Sequence, residues 1–153
     1  MDFPCSRIER QEEPVLFQRL RTSVDQLPAV MGQVYGSIMA RLEEARGFPA
    51  GPPYAAYYNM DRQDLDVEIG IPVASPQDGF EDIRSGIIPA GTYASCMYTG
   101  PYDQIAPAYQ VLAAWIETQG LEPTGAAYEF YLNDPAGTPP SELQTQILFP
   151  LKD

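Results

Sequence analysis

The chain has 153 residues, 44% of them hydrophobic, which suffices for one domain with a real core. Nine basic residues against 21 acidic ones leave a net charge of −12, a surface that repels phosphate backbones and argues against direct nucleic-acid binding. There is no histidine, which excludes Ser-His-Asp and Cys-His mechanisms and any zinc site of Cys and His, so catalysis would have to rest on Glu, Asp or Tyr.

No apolar run approaches the length of a membrane span, and the opening MDFPCSRIERQEEP lacks the basic and apolar regions of a signal peptide. Cys5 and Cys96 form neither a disulfide framework nor a metal motif. The expectation is a cytoplasmic protein with no cofactor, no metal and no membrane association. Its acidic surface suits a cationic ligand or a basic partner.

After Pro14, Val15 to Ser23 alternates as a strand. Asp25 is placed to cap a helix from about Gln26 to Arg46, with Leu27, Val30, Met31, Val34, Ile38 and Leu42 at helical spacing and Gly47 as its stop. Strands are expected at Tyr54 to Asn59 and at Leu65 to Pro72, and Ala74 to Asp82 has the composition of a linker. Ile87 to Thr99 is a strand candidate broken by Pro89 and Gly91. Asp103 introduces a helix to Gln119 that carries Ile105, Tyr109, Leu112, Trp115 and Ile116, and Gly120 ends it. Two strands joined by a Pro/Gly-rich turn then run from Tyr128 to Leu151.

The order repeats, and the repeat can be checked by letter. DQL at Asp25 to Leu27 matches DQI at Asp103 to Ile105; Tyr54, Tyr57 and Asn59 match Tyr128, Tyr131 and Asn133; Ile69 and Pro72 match Ile147 and Pro150. The fold class expected is α+β, with duplicated β-α-β-β halves, about residues 8–73 and 83–153, around the linker 74–82. Antiparallel sheets with one helix each would meet about a pseudo-two-fold axis, leaving a central ligand cleft.

Strand alternation puts Glu129, Tyr131 and Asn133 on one side and Tyr128, Phe130 and Leu132 on the other. The first set is expected to face away from the helix, joined by Tyr57, Asn59, Glu68 and Gln146. Glu129 stands where the first half has Ala55, and Gln146 where it has Glu68, an asymmetry that a site for one ligand explains. A carboxylate in a partly dehydrated aromatic pocket attracts a cation, and tyrosine faces add to the attraction. Read singly, Glu129 is as readily a solvent-facing strand residue, and Glu68 beside Asp66 is a surface acid. Tyr54, Tyr58, Tyr128 and Trp115 read as core aromatics and Cys96 as an inert packed thiol.

DLDVEIGIPV (Asp64 to Val73), IPAGTYASCMYTGPYDQI (Ile88 to Ile105) and YEFYLNDPAGTPPSELQTQILFPL (Tyr128 to Leu151), with RTSVDQLPAVMGQVYGSI (Arg21 to Ile38), together resemble the GyrI-like small-molecule-binding domain family, also called the bacterial transcription-activator effector-binding domain. The resemblance implies the duplicated fold with its central cleft. It also implies a strand glutamate, here Glu129, that contacts cationic lipophilic effectors. Aromatic walls would come from Tyr57, Tyr131 and Trp115, with Tyr98 or Tyr102 at the rim. The acid often found in the last strand is replaced by Gln146, leaving Glu68 as its symmetry-related substitute. Relatives often follow a DNA-binding segment, for which there is no room before Val15, so a stand-alone member is expected.

Three readings stand at this point. One is a sensor or sequestering module for a small cationic or amphipathic molecule. A second is a metal-independent hydrolase of toxic or reactive compounds, with Glu129 as general base and Tyr131 as oxyanion donor. The third is a protein-level modulator whose partner is DNA gyrase or a regulator.

Overall fold

A computed structural model describes residues 3–152. In chain order the strands and helices are β1 (Cys5–Arg10), β2 (Glu13–Thr22), α1 (Leu27–Glu44), β3 (Tyr54–Tyr57), β4 (Leu65–Pro72), β5 (Arg84–Ile88), β6 (Gly91–Thr99), α2 (Ala106–Thr118), β7 (Ala127–Tyr131) and β8 (Gln144–Pro150). The chain divides into two compact units, one of Gln11–Ala90 and one of the segment up to Arg10 with everything from Gly91 onward. Both are α+β, and each carries one helix on an antiparallel sheet.

In the Gln11–Ala90 unit the strands run β3-β4-β2-β5. In the other they run β7-β8-β6-β1. The registers are equivalent position by position. Tyr54 lies opposite Gly70 and Ala55 opposite Ile69; Tyr128 lies opposite Leu148 and Glu129 opposite Ile147. The letter-level repeat is therefore a repeat of hydrogen-bonded register.

Two elements differ from the sequence expectation. Cys5–Arg10 is a strand where none is expected, because its partner is β6, far along the chain. Arg84–Ile88 is a separate strand from Gly91–Thr99 and pairs with β2, so the break expected at Pro89 and Gly91 within one strand candidate divides two strands, the first of which starts three residues earlier than expected. The helix entries also differ. Ser23 Oγ accepts from the Gln26 amide at 3.3 Å ahead of α1, which begins at Leu27 rather than after an Asp25 cap. Tyr102–Gln104 forms a 3-10 turn before α2.

The apolar stripes decide the packing. α1 buries Leu27, Val34, Ile38 and Leu42, spaced by seven, four and four residues. α2 buries Ala108, Leu112 and Ile116 against Ala94, Cys96, Tyr98, Ile147 and Leu151 of its own sheet. That core fixes which face of the β7-β8-β6-β1 sheet lies under α2: the face bearing Ile147.

Candidate functional site

Glu129 sits on that face, because its register partner is Ile147. It is 9% exposed. Tyr109, on the first turns of α2, donates its hydroxyl to Glu129 Oε2, and Tyr131, two residues along β7, donates to Oε1 at 2.9 Å. Burial pushes the Glu129 carboxyl above the ordinary carboxylate range, and the two phenol hydroxyls pull it part of the way back. Among the described residues no basic side chain forms an ion pair with Glu129.

The acid was expected away from the helix, and the structure places it under the helix. The reason lies in β7 itself: four of its five residues are buried, so both faces are apolar enough to pass for core. Alternation divides such a strand into two sets without saying which set meets α2.

Glu68 is also buried, at 8% exposure, and is not a surface acid. Tyr54 donates to Glu68 Oε2 at 2.5 Å and Tyr58 donates to Oε1 at 3.0 Å. Tyr54 reaches it by crossing Gly70, where a Cβ would lie 2.8 Å from the Tyr54 hydroxyl and 2.7 Å from the Leu16 carbonyl oxygen. The Arg19 guanidinium lies 4.0 Å from the centre of the Tyr58 ring and forks onto Asp66 at 2.9 and 2.8 Å. Arg19 holds Asp66 below the ordinary carboxylate range.

Register separates the expected constellation into two groups. Gln146 faces Phe130, not Glu129, and donates to Ser95 Oγ at 3.2 Å on the sheet face opposite α2. Tyr57 faces Val67, so it points away from Glu68, its neighbour in the same unit. One residue of offset moves a side chain to the other face, and the expectation grouped odd and even positions together. Asn59 and Asn133 are hairpin clamps. Asn59 donates to the Asp64 carbonyl at 3.0 Å and accepts from the Asp66 amide at 2.9 Å; Asn133 does the same with the Glu142 carbonyl at 3.2 Å and the Gln144 amide at 2.9 Å.

Trp115 and Tyr109 are half-buried against the α2 core. Tyr98 is buried and donates to the Pro101 carbonyl at 2.6 Å. Tyr102 meets the Tyr131 ring edge-on at 5.4 Å between centroids. Cys96, opposite Cys5, has its thiol pushed up to about 12, chiefly by burial.

Tyr109 is the residue that sequence reading missed at this site. Its position in the stripe of α2 marks it as a core aromatic, and only the tertiary fold shows where its hydroxyl goes. Among the described residues no cluster of three acidic or cysteine side chains is arranged to hold a metal, and no helix is long and apolar enough to cross a membrane.

The sequence pattern of the GyrI-like small-molecule-binding domain matches residues 4–152. The chain belongs to that family. No curated protein sequence matches it. Among solved structures this GyrI-like chain is similar to EcmrR in a complex with DNA (TM-score 0.85, 21% identity), covering 99% of its own length and 58% of that chain. It therefore spans less than two thirds of that regulator. Against the EcmrR C-terminal domain alone the TM-score is 0.79 and the identity 23%, with 100% and 99% covered. A hydrolase from Listeria innocua superposes with TM-score 0.71 at 15% identity, covering 97% of this chain and 91% of that one. SAV2435, solved bound to tetraphenylphosphonium, superposes with TM-score 0.69 at 10% identity, covering 99% and 94%. At these identities the likeness is one of fold. The GyrI-like domain here is thus a small-molecule-binding domain by family, sharing its fold with the C-terminal domain of EcmrR, a protein solved in complex with DNA.

Proposed function

We propose that this domain binds a small hydrophobic cation, or an amphipathic molecule carrying one positive charge, as a sensor or sequestering module. Glu129 is the electrostatic anchor, with Tyr109 and Tyr131 as its hydroxyl partners and Trp115, on the same helix as Tyr109, as an aromatic wall. The observation that carries the reading is a buried carboxylate with two phenol donors and, among the described residues, no ion-pair partner. Taking an ion out of water is costly unless it is paired, so burial without a counter-charge works against the ionised acid. An arriving cation supplies the missing charge in a medium where screening is weak. The half-buried rings of Tyr109 and Tyr131 add cation–π attraction worth roughly 0.5–2 kcal/mol each.

Calorimetry with tetraphenylphosphonium on the wild type and on Glu129→Gln tests this. The expected result is at least a tenfold loss of affinity, about 1.4 kcal/mol. Equal affinities would sink the assignment. The raised carboxyl beside phenol hydroxyls also suits a general base with hydroxyl donors, which is the hydrolytic reading. A panel of esters and epoxides turned over no faster by wild type than by Glu129→Gln would dispose of it.

A further inference from the structure

We infer that the ligand carries, beside its positive charge, a neutral hydrogen-bonding oxygen or nitrogen, and that Tyr102 and Thr145 receive it. This rests on the reading of Glu129 as the cation anchor and adds the second half of the recognition.

Among the described residues two buried side-chain polar atoms lack a hydrogen-bond partner within the protein, the Tyr102 hydroxyl and Thr145 Oγ1. Native structures leave few such groups, and those that persist call for a specific explanation. These two are not scattered. Thr145 is wholly buried on β8, and its register partners are Tyr131 on one side and Tyr98 on the other. It therefore shares the face under α2 with Glu129, which lies two residue pairs further along the same ladder. Tyr102 packs its ring edge-on against Tyr131, the residue that donates to Glu129. Both orphan hydroxyls thus belong to residues that flank Tyr131, one of the two phenols that donate to the anchor.

Packing alone does not require either hydroxyl. Valine fills the volume of threonine, and phenylalanine fills that of tyrosine. What the hydroxyls add is the capacity to donate and accept. Burial pushes the Tyr102 hydroxyl up, with Asp134 and Glu129 adding to the effect, so it keeps its proton and remains a donor. The two hydroxyls offer a neutral dipolar subsite next to a charged one. A wholly apolar cation satisfies only the charged part and leaves both hydroxyls unmatched. A cation with an ether, hydroxyl, carbonyl or ring nitrogen beyond its charge satisfies both.

The test uses the full chain and four probes: tetraphenylphosphonium and its three derivatives bearing one hydroxyl at the ortho, meta or para position of a single ring. Dissociation constants are measured by calorimetry for the wild type, for the double variant Tyr102→Phe with Thr145→Val, and for Glu129→Gln. At least one hydroxylated probe is expected to bind the wild type about tenfold tighter than tetraphenylphosphonium. In the double variant that preference should fall to about onefold, with the tetraphenylphosphonium affinity unchanged within about twofold. Glu129→Gln should weaken all four. If no positional isomer is preferred, or if the preference survives the double variant, the inference is wrong. If Glu129→Gln changes none of the four affinities, the anchor reading fails instead. Thermal melting supplies a second check. Hydroxyls without protein partners can be removed without loss, so the double variant should melt at or above the wild type. A fall of more than about 3 °C would show the hydroxyls already engaged in the free protein and would overturn the inference.

Discussion

Glu129 and Glu68 are two buried carboxylates that each receive two tyrosine hydroxyls, yet their surroundings assign them different work. Glu68 is ringed by closed structure. Tyr54 is fully buried, the glycine it crosses admits no side chain, and Arg19 covers the Tyr58 ring. Glu129 has half-buried donors from two different elements, a helix and a strand, and two unpartnered hydroxyls flank one of those donors. Arg19 lies in the field of Glu68, whereas among the described residues no cation forms an ion pair with Glu129. A network that is satisfied on all sides rigidifies a sheet; one that stays short of a charge waits for a ligand.

Replacing Glu68 should therefore give the largest loss of stability. Glu68→Leu deprives two buried phenols of their shared acceptor, and about 3 kcal/mol is expected by urea denaturation. Binding of tetraphenylphosphonium by the protein that remains folded should change little. A variant as stable as wild type would mean that Glu68 is not the structural member of the two.

Glu129→Gln should behave in the opposite sense, losing affinity while keeping or gaining stability at neutral pH. The folded state holds the Glu129 proton at pH values where the unfolded chain has released it. Its contribution to stability is therefore fully present below the unfolded carboxylate range and is lost as pH rises through the raised folded value. Above that value Glu129→Gln should equal or exceed wild type in melting temperature, with the difference closing on acidification. Cation binding favours the ionised form, so it should release a proton, and affinity should increase with pH across the same interval. Calorimetry in two buffers of different ionisation enthalpy reads the proton directly. An affinity independent of pH would place the ligand's charge away from Glu129.

Tyr54→Phe removes one of the two bonds to Glu68 and keeps the ring. A loss of about 1 kcal/mol is expected, with no change in ligand affinity. The matching change on the other acid, Tyr131→Phe, should cost affinity instead. Similar stability losses for the two variants would erase the distinction between the sites.

Much of this arrangement is legible in the sequence, and what is not has identifiable causes. Leu65–Pro72 is a strand with the expected bounds because strict alternation, a turn before it and a proline at its end all agree. The repeat holds to the residue because Tyr54 and Tyr128 occupy the same register. Glu129 stands out as the letter that breaks the repeat. Its setting does not, since a strand buried on both faces gives alternation no solvent side to point to. The roles of Tyr109 and Thr145 are equally hidden: each is a plausible core residue, and only the partner, or the lack of one, distinguishes a hydroxyl with a function. β1 escapes because its pairing is with a strand that the local sequence cannot announce.

The smallest effect is expected at Arg19 and Asp66, and it sharpens the comparison most finely. Their fork is well formed, but the side chains are 50% and 20% exposed, so water screens the pair. Coupling within about 0.5–1 kcal/mol is expected from a double-mutant cycle of Arg19→Gln with Asp66→Asn, shrinking further in high salt. Asp66 lies below the ordinary carboxylate range, so this contribution is present above the unfolded value and is lost as pH falls through the folded one. Arg19 also feels Glu68, which gives a second cycle, Arg19→Gln with Glu68→Gln. A coupling there larger than that with Asp66 would make Arg19 the counter-ion of the buried acid, acting through the ring of Tyr58. Glu68 would then be a carboxylate that already has its cation within its own unit, and Glu129 would be one that must obtain it from a ligand.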